Sequence, residues 1–101
     1  MRNRDWLPPI HPGEILREEF LSPLGMSARE LAMALRVPWT RINDIVNEKR
    51  GITAGTALRL SRYFGTTAKF WLNLQVSYEL DAAEDQLSKT VQRDVRPRTA
   101  A

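Results

Sequence analysis

Hydrophobic positions recur three and four residues apart along most of this chain, which is the spacing of amphipathic helices. No run of β-branched residues follows the two-residue spacing of a strand. The pattern predicts five helices, which begin near Pro12, Ser27, Pro38, Thr53 and Thr67. A chain of 101 residues with this pattern fits one compact all-α domain.

Local signals support the predicted helix ends. Ser27 and Glu30 have the spacing of a capping box, in which each side chain binds the backbone of the other residue. Pro12 suits the first position of a helix, where its missing N–H needs no partner. Gly25 supplies a turn after the first helix, and Gly65 is expected to end the fourth.

The second and third predicted helices are joined by only three residues, Arg36 to Pro38. In the third helix, Ile42, Ile45 and Val46 have the spacing of an inward face, which leaves the opening residues free to project. A pair built this way is typical of a helix-turn-helix, whose second helix lies in the major groove of DNA. A generic helical hairpin shares most of this pattern and stays open as an alternative.

The charge of the chain is concentrated around the same segment. The formal net charge is only +3, but residues 36–62 alone carry six basic and two acidic groups. A local basic patch of this kind is what phosphate binding requires. The alternative is a solvated basic face without a partner.

Four residues of the third helix are candidates for reading DNA bases. Arg41 can make paired hydrogen bonds to a guanine edge, and Asp44 can accept one from a cytosine amino group. Thr40 can bind a base edge or touch a thymine methyl, and Trp39 can pack on sugars or a methyl group. Alternatively, Trp39 covers the core at the helix start, and Arg41 contacts a phosphate or is a surface charge. Asp44 can instead pair with Arg41 or Lys49.

A second set of residues is predicted to contact the DNA backbone. These residues carry hydroxyl, amide or basic groups, mostly at helix ends on one side of the domain. Such groups are the usual phosphate ligands, and they fix register without reading sequence. The set is Ser27, Asn43, Asn47, Lys49, Arg50 and Thr53.

The residues give no support for catalysis. His11 is the only histidine, and it is expected to be an N-cap or an arm residue. There is no cysteine, no glycine-rich phosphate loop and no cluster of metal ligands in the sequence. We therefore expect a non-enzyme without a cofactor. No apolar run reaches the roughly 18 residues of a membrane span, and a cytoplasmic location is expected.

The fifth helix is apolar on more than one face, which in a domain of this size favours an interface. We expect an N-terminal arm at residues 1–10, in which Trp6, Leu7 and Ile10 can dock. A DNA-binding and dimerisation domain is expected at 11–84, and a polar tail at 85–101 that is frayed from Arg93 onward.

Three blocks of the sequence carry a closer resemblance. They are HPGE from His11, RINDI from Arg41, and FWLNLQ from Phe70. Together with the residues between them, from His11 to Leu80, they closely resemble the HigA/VapI family of antitoxins, a branch of the Cro/C1-type helix-turn-helix fold.

The resemblance implies a five-helix, lambda repressor-like domain that forms a homodimer and binds operator DNA. It also implies a HigB/RelE-like toxin partner that cleaves mRNA, and repression of the pair's own operon. On the Cro/C1 pattern the base-reading positions are Trp39, Thr40, Arg41 and Asp44. Asn47 and Lys49 match phosphate contacts. The family's dimer element corresponds to Trp71, Leu74 and Tyr78.

Two residues depart from the family pattern. Arg36 stands where the broader fold usually has glycine in the turn, and Glu48 stands where many relatives have glycine. Two other functions stay open. One is a stand-alone repressor without a toxin. The other is a toxin-sequestering module whose arm and first helix face the toxin.

Overall fold

The computed structural model of the chain describes residues 8–99 as five helices. Helix α1 spans residues 12–24, as consecutive segments Pro12–Ile15, Leu16–Leu21 and Ser22–Leu24. It is followed by α2 (Ala28–Leu35), α3 (Trp39–Val46), α4 (Ala54–Phe64) and α5 (Ala68–Asp94). The described part of the chain contains no strand, and the all-α, five-helix prediction is confirmed.

The middle of α1, Leu16–Leu21, is π-helical, which the hydrophobic pattern did not predict. The Ser22 N–H reaches back five residues to the Arg17 carbonyl. Pro23 follows directly and has no N–H to continue an α-helical ladder. The wider π-helical turn thus comes just before Pro23, which cannot donate the hydrogen bond of a regular α-helix.

The predicted helix starts and ends are largely confirmed. The Ser27 and Glu30 side chains form both bonds of the capping box, at 3.0 and 2.8 Å. His11 is the N-cap of α1, and its Nδ1 accepts a hydrogen bond from the Gly13 N–H at 2.8 Å. Gly25 and Gly65 end α1 and α4 with positive φ angles.

The core lies where all five helices meet. Trp71 of α5 is fully buried at its centre, and its Nε1–H donates to the Thr66 hydroxyl at 2.8 Å. Phe20 of α1 packs on Trp71 and on Phe64, with ring centroids 4.9 Å apart in each pair. The other buried apolar side chains are Leu16, Leu21, Leu31, Ala32, Leu35, Ile42, Ile45, Val46, Ile52, Ala57 and Leu60.

The start of α1 lies directly on the end of α3. Gly13 is buried, and a Cβ atom added there would overlap the backbone carbonyl of Ile45. Only glycine allows the two backbones to approach this closely. The contact fixes where α3 ends relative to the rest of the domain.

Helix α5 extends well past the core and runs without a break across residue 84. The expected fraying from Arg93 is therefore wrong for Arg93 and Asp94, which are still helical. The division into residues 1–10, 11–84 and 85–101 stays a prediction. Trp6 and Leu7 of the predicted arm lie outside the described residues.

Candidate nucleic-acid interface

Helices α2 and α3 form the predicted helix-turn-helix. Ile42, Ile45 and Val46 are buried against the core, so α3 is held by one face. Pro38 precedes the first residue of α3 with an extended backbone conformation. The opening residues of α3 therefore lie on the outer side of the domain, where a DNA groove can reach them.

Trp39 begins α3 with its side chain exposed. Its exposed fraction is 40%, and the Arg29 guanidinium of α2 lies 4.8 Å from the centre of its ring. The alternative role of Trp39 as a cover for the core is therefore not favoured. The cation–π contact holds the ring of Trp39 next to α2.

Four further candidates lie on the same helix. Thr40 is exposed, and Arg41 and Asn43 are half-buried. Asp44 is partly exposed, and its carboxylate lies 4.0 Å from the Arg50 guanidinium. The alternative prediction that Asp44 pairs with Arg41 or Lys49 is thus wrong. Arg50, six residues further on, is the ion-pair partner instead.

The segment after α3 carries Asn47, Lys49 and Arg50, all with exposed side chains. It is anchored at its far end by Gln75 of α5, whose Oε1 accepts a hydrogen bond from the Ile52 N–H at 2.7 Å. A Cβ atom at Gly51 would lie 2.6 Å from the Gln75 amide, so a larger residue there would displace the end of the Gln75 side chain. Sequence reasoning did not find this role of Gln75.

Glu48 lies in the middle of this segment with a φ of 63°, in the left-handed region. This conformation explains why glycine suits the position. The Glu48 carboxylate lies 3.5 Å from the Arg17 guanidinium of α1. Arg17 also donates to the Val46 carbonyl at the end of α3.

Arg17 carries a strongly held positive charge. Its Nε donates to the Glu18 carboxylate at 3.0 Å, and this bond, with a further contribution from Glu48, raises the pKa of Arg17. The sequence marked Glu48 as unusual but gave no signal for Arg17, which is 31 residues away along the chain.

The two remaining backbone candidates are at helix starts. Ser27 uses its hydroxyl in the capping box of α2. Thr53 is exposed and precedes α4, and its hydroxyl lies 3.4 Å from that of Thr56. The structure brings both residues to exposed positions at amino ends of helices.

The predicted dimer contact of Trp71 is wrong, because its side chain is 0% exposed and has no surface to offer a second protomer. Leu74 packs on the core, and Tyr78 is half-buried with its ring 4.8 Å from His11. These residues lie on the body-facing side of α5. The exposed apolar residues of the helix are instead Phe70, Val76, Leu80, Leu87 and Val91.

His11 is buried beneath α5, and desolvation lowers its pKa, against an opposing effect of Glu48. Residues 8–99 contain no group of three metal-ligating side chains. In the same residues, no helix is both long and apolar enough for a membrane span.

Comparisons with known proteins define the class. Residues 16–71 match the helix-turn-helix family. Virulence-associated protein I of Dichelobacter nodosus is 64% identical over 78 residues, which are 77% of this chain and 72% of that protein.

Solved structures match the fold over most of the chain. The structure described as Pseudomonas aeruginosa antitoxin HigA with higBA promoter is 49% identical, with a TM-score of 0.87 over 90% of this chain and 99% of that chain. The structure described as antitoxin GraA in complex with its operator is 45% identical, with a TM-score of 0.87 over 99% of both chains.

The chain is thus a helix-turn-helix protein in which the first residues of the second motif helix are accessible. Within this class it belongs to the HigA/VapI family of antitoxins. That family consists of DNA-binding regulators, so the chain is not an enzyme.

Proposed function

We propose that this chain is the antitoxin of a type II toxin–antitoxin pair and represses its own operon as a homodimer. The observation that carries the DNA-binding part of this proposal concerns α3. One face of this helix is buried, and its first residues are exposed. The likeness to two chains described with a promoter or an operator supports it.

In this proposal α3 enters the major groove of the operator. Trp39, Thr40, Arg41 and Asp44 read base edges. The backbone contacts come from Ser27, Asn43, Asn47, Lys49, Arg50 and Thr53. The net positive charge of residues 36–62 makes binding salt-dependent, because each neutralised phosphate releases counterions.

The homodimer forms through α5. Trp71 is nine residues from Leu80, so at 100° per residue the two side chains leave opposite sides of the helix. Trp71 faces the core, and the exposed apolar residues Leu80, Leu87 and Val91 therefore face away from it. A second copy would cover this stripe, and a palindromic operator would match the two-fold symmetry.

The toxin part of the proposal rests on family membership. The cognate toxin is a HigB/RelE-like mRNA-cleaving protein, and the chain neutralises it by binding in the cytoplasm. A stand-alone repressor is the second candidate, favoured by 39% identity over 79 residues to an Escherichia coli protein described as an HTH-type transcriptional regulator.

The experiment is co-expression with the protein encoded beside this chain, followed by affinity capture and a gel shift on the upstream DNA. A complex that shifts the upstream duplex, and not a scrambled one, is the expected result. A shift without a captured partner supports the stand-alone repressor. Absence of any shift contradicts the DNA-binding proposal.

A further inference from the structure

Both helices of the helix-turn-helix end in the same unusual way. After α2, the Val37 N–H bonds to the Ala32 carbonyl at 3.1 Å, with Arg36 left-handed at a φ of 60°. After α3, the Lys49 N–H bonds to the Asp44 carbonyl at 2.8 Å, with Glu48 left-handed. This is the Schellman arrangement, which normally has glycine at the left-handed position.

The flanking helices follow the ordinary rule. Helices α1 and α4 end at Gly25 and Gly65, which have φ angles of 60° and 75°. Among residues 8–99, only the motif helices are followed by a bulky residue with a left-handed backbone. Their ends therefore depend more on stabilisation from outside the turn.

Each of these two ends receives an arginine from a flanking helix. The Arg59 guanidinium of α4 donates to the Leu35 carbonyl at 2.7 Å. The Arg17 guanidinium of α1 donates to the Val46 carbonyl and lies 3.5 Å from the Glu48 carboxylate. Carbonyls at a helix end lack partners within the helix, and a cation there is favoured by the helix dipole.

The two carbonyls flank α3. Leu35 is the last residue before the turn that leads into α3, and Val46 is the last residue of α3 itself. We propose that Arg17 and Arg59 are positioning residues for DNA binding, which hold the end of α2 and the end of α3 at fixed places on the domain. This inference rests on the proposed DNA-binding function.

Arg17 has a second effect. Asn47, Lys49 and Arg50 are proposed to contact phosphates, and the Glu48 carboxylate lies among them. The Arg17 guanidinium offsets this negative charge and draws the side chain toward α1. Its planar fork can serve a carbonyl and a carboxylate together, which a single ammonium group cannot do with the same geometry.

The test compares R17M and R59M with R62M, which removes an exposed arginine from the same surface of α4. Binding to a duplex from upstream of the chain's own gene and to a scrambled duplex is measured at several salt concentrations. Circular dichroism identifies a temperature at which every variant is folded. If a methionine variant is unfolded throughout, R17K or R59K replaces it.

We expect the ratio of the affinities for the upstream and scrambled duplexes to fall about tenfold or more in R17M and R59M. Each variant loses a partly buried hydrogen bond from a charged group, and an effect of this size is typical of such a loss. R62M should weaken binding to both duplexes equally. Equal behaviour of all three folded variants would overturn the positioning role. If the wild-type chain prefers neither duplex, the proposed function itself fails, and the inference fails with it.

A double variant separates position from charge. R17M with E48G removes the unpaired carboxylate but leaves the Val46 carbonyl without its arginine. We expect affinity for the scrambled duplex to recover, while the preference for the upstream duplex stays low. Full recovery of both would mean that Arg17 acts only as a counter-charge, against the proposal.

Discussion

Arg36 and Glu48 show how single residues shape the motif. Both have left-handed backbones, a conformation that costs a residue with a Cβ atom about 1–2 kcal/mol. The family resemblance marked both positions as departures from glycine. The structure adds the physical reason, because each residue follows the end of a motif helix where the chain reverses direction.

Replacing Arg36 by glycine should stabilise the domain by about 0.5–1 kcal/mol, since relief of strain exceeds the entropy cost of glycine. Thermal unfolding should shift upward by a few degrees. Arg36→Ala is the control, because it removes the same side chain and keeps the Cβ atom. An equal gain for both variants would show that the guanidinium, and not the backbone, is the cause.

Arg41 and Lys49 should differ in what they contribute to DNA binding. Arg41→Ala should lose both affinity and base preference, by about 1–3 kcal/mol of discrimination. Lys49→Ala should weaken operator and scrambled duplex about equally. Gel shifts on both duplexes measure this, and equal loss of preference in the two variants would contradict the assigned roles.

His11 makes stability depend on pH. Burial lowers its folded pKa below the ordinary value of 6.5, so the unfolded chain binds the proton more readily. The contribution of His11 to the free energy of unfolding should therefore be complete above pH 6.5. It should decrease as the pH drops toward the folded pKa. Protonation also removes the acceptor that caps α1 at the Gly13 N–H.

Denaturant titrations between about pH 5 and pH 7 measure this slope, above the range where free carboxylates titrate. His11→Asn is the control, because asparagine is also a good N-cap and does not titrate. The variant should have a flatter profile over the same range. A slope equal to that of the wild type would assign the effect to other groups.

At the scale of helices, the sequence predicted most of the fold. Capping residues and apolar spacing gave all five helices and their starts. The π-helical turn before Pro23 and the length of α5 were missed, because neither depends on the apolar spacing that was used. The roles of Arg17, Arg59 and Gln75 were missed because each contacts backbone 23 to 29 residues away.

The site was predicted less completely. The buried face of α3 fixed which residues project from its opening, so the candidates there are exposed or half-buried as expected. Trp71 was misassigned because α5 is apolar on several sides. Spacing alone does not tell which side meets the protomer's own core, and only the packing of α1 and α4 against α5 decides this.

Two glycines test the contact between α1 and α3. Gly13→Ala should destabilise the domain by about 1–3 kcal/mol, because its Cβ atom meets the Ile45 backbone. Gly55→Ala is the matched control, since nothing lies within 4 Å of its added Cβ atom in α4. The control should gain up to about 1 kcal/mol. Equal changes in chemical unfolding would argue against the close contact.

At the scale of the whole molecule, the described residues measure 55 × 29 × 22 Å, and helix α5 alone contains 27 residues. The half of α5 beyond the core carries Leu87 and Val91, each 49% exposed. In the proposed homodimer, a second copy would remove these side chains from water, which favours association.

Leu87→Glu should shift the chain toward a monomer, because a carboxylate would be buried in the proposed dimer contact. Gln86→Glu adds the same charge about 100° around the helix and should leave the assembly unchanged. Analytical ultracentrifugation distinguishes the two, and upstream-duplex binding should weaken only with Leu87→Glu. A wild-type chain that sediments as a monomer would contradict the proposed dimer.

In the proposed homodimer, helix α5 would also relate assembly to the length of the operator. Its apolar residues Leu80 and Leu87 are seven positions apart, so two copies could pair in registers that differ by one such repeat. One repeat displaces the partner along the helix axis by about 10 Å, roughly the rise of three base pairs. In the proposed homodimer, the spacing of these leucines would therefore limit which half-site separations the two α3 helices can span at once.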